Sequence, residues 1–223
     1  MRLLSISSRQ NARNPSLLNS HFGFEVMLWI ISGPSSAGKS TFLASPRCRE
    51  ITELGPEAQI LFGFSLNGPS AQPLEGDLFL HYNLLRPASQ FARQRRHAQR
   101  SLAGRVRGWL GFRARGAWEQ TQEAAAKFRA DPAWAEAVAL PGPKRAVVLV
   151  ASRDRILERV RSRRQIEPHL AEAYDPDEWL ALYDSLDLPR LYRAWYQELR
   201  SLGIEPLLLD SHDAAFRSLA APE

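Results

Sequence analysis

Cysteine and lysine are scarce in this chain, and acidic residues are missing over one long stretch. Cys48 is the single cysteine among 223 residues. That excludes an internal disulfide framework and fits a reducing, cytoplasmic setting. No apolar run approaches the ~20 residues a membrane-spanning helix needs, so no membrane span is expected. From Leu78 to Trp118 there is neither Asp nor Glu, while nine arginines, Arg86 to Arg115, fall in that window. Those nine charges exceed the formal net charge of +5, so the rest of the chain is net acidic. The basicity is regional. It suits an anionic partner, such as a phosphorylated substrate or nucleic acid, or it is a solvated, arginine-biased helix. Trp109 and Phe112 lie inside the basic segment and could stack on bases. Nucleic acid is the lesser reading, because such aromatics are more often the buried side of an amphipathic helix.

A hydrophobic fraction of 44% and an aromatic fraction of 9% describe a globular chain long enough for one domain with a sizeable core. Residues 1–26 hold no acid before Glu25 and are rich in Ser, Asn and Arg. They read as a disordered N-terminal tail or a transit-like segment, leaving a domain at 27–223.

Lysine occurs three times against 26 arginines, and one of the three sits in "GPSSAGKST". Gly33, Pro34, Ser35, Ser36, Ala37, Gly38, Lys39 and Ser40 satisfy G-x-x-x-x-G-K-[ST] in full, and Thr41 follows. The run Met27–Ile31 before it has the length of a buried parallel strand, and Thr41, Phe42 and Leu43 begin a helix. Strand, glycine loop and helix are what phosphate binding requires. The glycines let backbone N–H groups turn inward around phosphate oxygens, and the helix adds its unpaired N–H groups and positive dipole end. Lys39 reaches the β- and γ-phosphates as a compact point charge that a planar guanidinium would not replace, and Ser40 offers its hydroxyl to Mg²⁺.

Further along, residues 44–59 read as turn-rich. Residues 60–66, 78–82, 145–152 and 204–210 read as strands. Residues 88–137 have helical composition, giving a helical insertion at about 88–140, and residues 153–165 read as a helix. Asp175-Pro176 and Asp187-Leu188-Pro189 each look like an N-cap followed by an early proline. After the second, Leu191, Tyr192, Trp195, Tyr196, Leu199 and Leu202 recur at helical spacing, and Gly203 fits the stop. Strands alternating with helices predict an α/β fold: three layers, a parallel sheet with helices on both faces.

This order of parts resembles the small P-loop kinases, within the P-loop nucleoside triphosphate hydrolase superfamily, over most of residues 27–213. The resemblance implies ATP and Mg²⁺ as cofactors and transfer of the γ-phosphoryl group to a small-molecule acceptor. It also makes Arg159, Arg163 and Arg164 candidate lid arginines. Arg155, Arg159 and Arg163 recur every four residues, so a continuous helix would set them on one face, where Arg159 and Arg163 could meet charge building on a phosphoryl group. At the carboxyl end of 78–82, His81, Asn83 and Arg86 are candidates for the acceptor, with Arg86 the best placed to grip an anion. The acid usually found there is absent. Asn83 takes its place, Asp77 lies at the strand's start, and Asp210 ends the last strand. Two other activities stay open: a non-kinase P-loop NTPase with a basic partner-binding region, and a sulfotransferase-like enzyme.

Overall fold

The computed structural model describes residues 27–54, 58–62, 77–88, 123–166, 182–184, 186–212 and 215–221. The tail 1–26, most of the insertion 88–140, the basic residues 93–115 and the cap at Asp175 lie outside the described residues.

The chain is an α/β protein with a mostly parallel sheet and helices packed against it. In chain order the described elements are β1 Leu28–Gly33, α1 Lys39–Leu43, α2 Pro46–Thr52, β2 Gln59–Phe62, β3 Leu78–Asn83, a 3₁₀ turn Phe128–Ala130, α3 Pro132–Ala139, β4 Lys144–Val150, α4 Arg153–Ile166, α5 Leu188–Ser201, β5 Pro206–Asp210 and β6 Arg217–Ser218. The strand order is β2-β3-β1-β4-β5-β6. The first five strands run parallel, and β6 pairs antiparallel with β5. The winding switches sides at β1: β2 and β3 lie to one flank, β4 and β5 to the other. The crevice at the carboxyl end of such a switch strand is where open α/β sheets take ligands.

All six residues of β1 are buried, which explains why Leu28–Ile31 is an uninterrupted apolar run rather than an alternating one. Register puts Ser32 level with Tyr82 of β3 and Val148 of β4, so their side chains share a face. The α5 helix covers that face. The Trp195 indole N–H donates to Ser32 Oγ at 2.8 Å, and Ser32 Oγ donates to the Val147 carbonyl at 3.2 Å. Trp195 stacks on Tyr82 at 5.1 Å and meets Trp134 and Phe128 edge-on at 4.6 and 4.7 Å. On α1, Phe42 packs edge-on against Phe216 at 5.2 Å.

The α5 helix follows its sequence closely. The Asp187 carboxylate accepts from the Arg190 N–H at 3.0 Å, a proline lies in the first turn, and Gly203 sits at φ +75° just past the end. Leu191, Trp195 and Leu199, one residue per turn, are fully buried. The stretch 44–59 departs from expectation, since it contains α2. Ser45 caps that helix by accepting from the Cys48 N–H at 3.2 Å, and Pro46 occupies its first position. The Ser-Pro pair carried the signal for that start. At the other end of the sheet, Asp77 accepts from the Met27 N–H at 3.2 Å.

Candidate functional site

β1 ends in Gly33 because nothing larger fits. A Cβ there would stand 2.9 Å from the Leu149 carbonyl oxygen of β4. The chain then turns through Ser36 at φ +61° and Gly38 at φ +90° into α1. Left-handed residues inside a short turn arrange successive backbone N–H groups around a concavity, the geometry that receives anions. Gly38 adopts this conformation freely, whereas Ser36 bears the cost of a Cβ in it. A Cβ at Gly38 would approach Arg159 Nη1 to 3.3 Å.

Lys39 opens α1 and is 4% exposed. Its ammonium donates to the Gly33 carbonyl at 2.9 Å and to the Pro34 carbonyl at 2.6 Å, curling over the loop that precedes it. The other loop carbonyls face different partners. The Tyr183 hydroxyl donates to Ser35 O at 2.6 Å, and Arg159 donates to Ser36 O at 3.2 Å. Arg159 also donates to Ser211 O, just past β5. Ser40 and Thr41 are exposed at the head of α1. Ser36 Oγ is buried and has no hydrogen-bond partner among the described residues.

The sequence-predicted residues divide. Gly33 to Thr41 form one continuous loop and helix start, and Arg159 comes to that loop from α4. Arg163 lies one turn further along the same helix, and its side chain is outside the described residues. Asn83 ends β3 level with Gly33, and the Leu84 N–H donates to Gly33 O at 3.1 Å, so the two strand ends are stitched together. The Asn83 Oδ1 accepts from the Leu85 N–H at 3.1 Å, which fixes it in a local turn. His81 lies two residues inside β3, level with Ile31, not at the edge itself. Asp210 is separated from β1 by β4, about 10 Å at ordinary strand spacing, and its Oδ1 accepts from the His212 N–H at 2.8 Å. Asp77 occupies the edge opposite the loop.

Arg86 follows β3 and pairs with Asp131, Nε to Oδ1 at 3.1 Å. Asp131 is 1% exposed, accepts from the Tyr82 hydroxyl at 3.1 Å, and caps α3 through the Ala133 N–H at 3.2 Å. Burial, and then the neighbouring Asp131 carboxylate, push the Tyr82 phenol far above its ordinary range, so it remains a donor. Asp131 and Tyr183 are the residues sequence reasoning missed. Asp131-Pro132 has the form of a helix cap, which marks the helix but not the arginine it holds. Nothing local marks Tyr183.

A separate cavity of about 640 Å³ opens between the start of α4 and the start of α5, lined by Val150, Ala151, Leu188, Tyr192 and Leu208 among others. No residue of the loop lines it.

No protein-family model matches this chain, and comparison with curated proteins gives no match.

Proposed function

We propose that this protein is an ATP-binding phosphotransferase, kinase-like, built as a three-layer P-loop fold and acting on a small-molecule acceptor. The observation that carries the reading is the loop after β1: a complete phosphate-loop sequence at the switch point of a parallel sheet, with two left-handed residues and a buried lysine folded back over it. Polyphosphate fits this loop. The unpartnered Ser36 Oγ and the exposed head of α1 both want an acceptor oxygen. Lys39, whose bonds here go to loop carbonyls, would swing its ammonium to the β- and γ-phosphates. Arg159, already against Gly38, lies within reach of the same ligand, and Arg163 on the next turn would follow it. Arg86, held by Asp131 at the carboxyl edge, would take an anionic or hydroxylated acceptor together with Asn83 and His81.

Magnesium would neutralise charge on the phosphates. Ser40 would offer its hydroxyl to that ion. Among the described residues no group of three His, Cys, Asp or Glu gathers into a metal site, so phosphate oxygens and water would make up most of its shell.

One observation favours a second reading, a nucleotide-dependent binding protein without phosphoryl transfer. Asn83, not an acid, ends the strand beside the loop, and an amide orients a metal-bound water without adding charge. The experiment is ATP binding with Mg²⁺, followed by ATP consumption over a panel of nucleosides, nucleotides, sugars and aminoglycosides. Phosphorylated product from one class supports the kinase. Tight ATP binding with no turnover on any of them moves the protein to the second reading. No ATP binding at millimolar concentration removes both.

A further inference from the structure

Tyr183 is helical, with its neighbours Leu182 and Asp184, in the stretch between α4 and α5, and its side chain is fully buried. Its hydroxyl is spent on the Ser35 carbonyl, 148 residues away in sequence, while Arg159 takes the next carbonyl, that of Ser36. These two carbonyls belong to the two peptide planes on either side of Ser36. The orientation of those planes is the φ and ψ of Ser36, and Ser36 is the non-glycine residue that this loop holds at φ +61°. All peptides here are trans, so each N–H points opposite to its carbonyl. Turning Ser35 O toward Tyr183 turns the Ser36 N–H the other way. Turning Ser36 O toward Arg159 does the same for the Ala37 N–H, whose contact among the described residues is a long 3.3 Å one with Pro34 O. An incoming phosphate oxygen would compete well for it.

We infer that Tyr183 is a positioning residue of the phosphate loop: with Arg159, it pins Ser36 in the left-handed conformation that aims the Ser36 and Ala37 amides at an anion. The ligand class is a polyphosphate, and the inference rests on the phosphate-binding reading of the loop. A serine released from the pin relaxes toward right-handed or extended backbone, because its Cβ disfavours the left-handed region. A glycine would not, since it enters that region about as readily as its mirror image. Tyr183 therefore matters in proportion to the conformational reluctance of residue 36.

The test is a double-mutant cycle on the full chain, with ATP and inorganic tripolyphosphate as probes and binding followed by calorimetry. Tyr183→Phe keeps the ring and removes the hydroxyl. The expected loss of affinity for both probes is about 3- to 10-fold, the worth of one net hydrogen bond, with a melting temperature within a few degrees of the unsubstituted protein. In a Ser36→Gly background the same substitution should cost about twofold or less. Unchanged tripolyphosphate affinity in Tyr183→Phe overturns the inference while leaving the nucleotide reading intact. So does an equal loss in both backgrounds, which would mean that the hydroxyl does not act through Ser36. If the unsubstituted protein binds neither probe, the phosphate-binding reading itself has failed and takes the inference with it.

Discussion

Two of the three lysines do the same thing at opposite edges of the sheet. Lys39 donates to the carbonyls of Gly33 and Pro34, at and just past the end of β1. Lys144 donates to the carbonyls of Leu140 and Gly142 before the start of β4. The bonding is alike and the surroundings are not. Lys144 sits among ordinary closing contacts. Leu140 caps the end of α3, Arg145 lies over the Trp29 ring at 5.6 Å, and Asp77 secures Met27. Partial burial pushes the Lys144 ammonium below its ordinary range. Lys39 is nearly fully buried beside left-handed backbone at a helix start, and Tyr183 and Arg159 pin the loop carbonyls around it. A lysine that only closes a helix end does not need that setting. On the proposed reading, Lys39 would exchange its carbonyls for phosphate oxygens, and such a setting would serve that exchange.

The change expected to damage the loop's edge of the sheet most lies beneath the loop. Trp195→Ala removes the ring that Tyr82, Trp134 and Phe128 all touch and the donor that holds Ser32, next to Gly33. It should cost about 3–5 kcal/mol in denaturant unfolding. A loss under about 1 kcal/mol would mean that the aromatic layer does not support the loop. Next in size is Lys39→Ala. ATP affinity should fall about 100-fold, as expected when charge-assisted bonds to phosphate are lost, while the melting temperature stays within a few degrees. Calorimetry and a thermal scan on the same sample check both halves. Gly38→Ala follows. A side chain at φ +90°, 3.3 Å from Arg159 Nη1, should cost about 1–2 kcal/mol, read as a drop of roughly 2–8 °C in melting temperature. The smallest effect sharpens the comparison. Lys144→Ala should lower stability by about 1 kcal/mol or less and leave ATP affinity unchanged. If it weakens ATP binding as Lys39→Ala does, the two edges are not functionally distinct.

How much of this was legible in sequence depends on how far apart the cooperating residues lie. The phosphate loop is contiguous, so its glycines, lysine and hydroxyls could be read in one pass, as could the apolar strands and the stripe of α5. Sheet order, by contrast, depends on which strands pair, and local sequence does not encode that. Tyr183 and Ser35 are 148 positions apart, and Tyr82 and Asp131 are 49 apart. A tyrosine in "LYD" looks like any core tyrosine until the fold brings a carbonyl to its hydroxyl. Arg159 was visible as a helix-face arginine, but the two backbone carbonyls it donates to, those of Ser36 and Ser211, were not. The α2 helix was missed for a different reason. Its Ser45-Pro46 start was readable, but seven residues give too little periodicity to outweigh the surrounding turn signals.

The most direct measurement of the central claim is an amide chemical-shift titration of the uniformly labelled chain, with ATP and, separately, adenosine. The account predicts that ATP shifts the amides of Ser36, Ala37, Gly38, Lys39 and Ser40 strongly. Leu78 and Lys144, at the far edge, should stay still, and adenosine at the same concentration should leave the loop amides unmoved. Loop amides that do not respond to ATP, or that respond equally to adenosine, would contradict it.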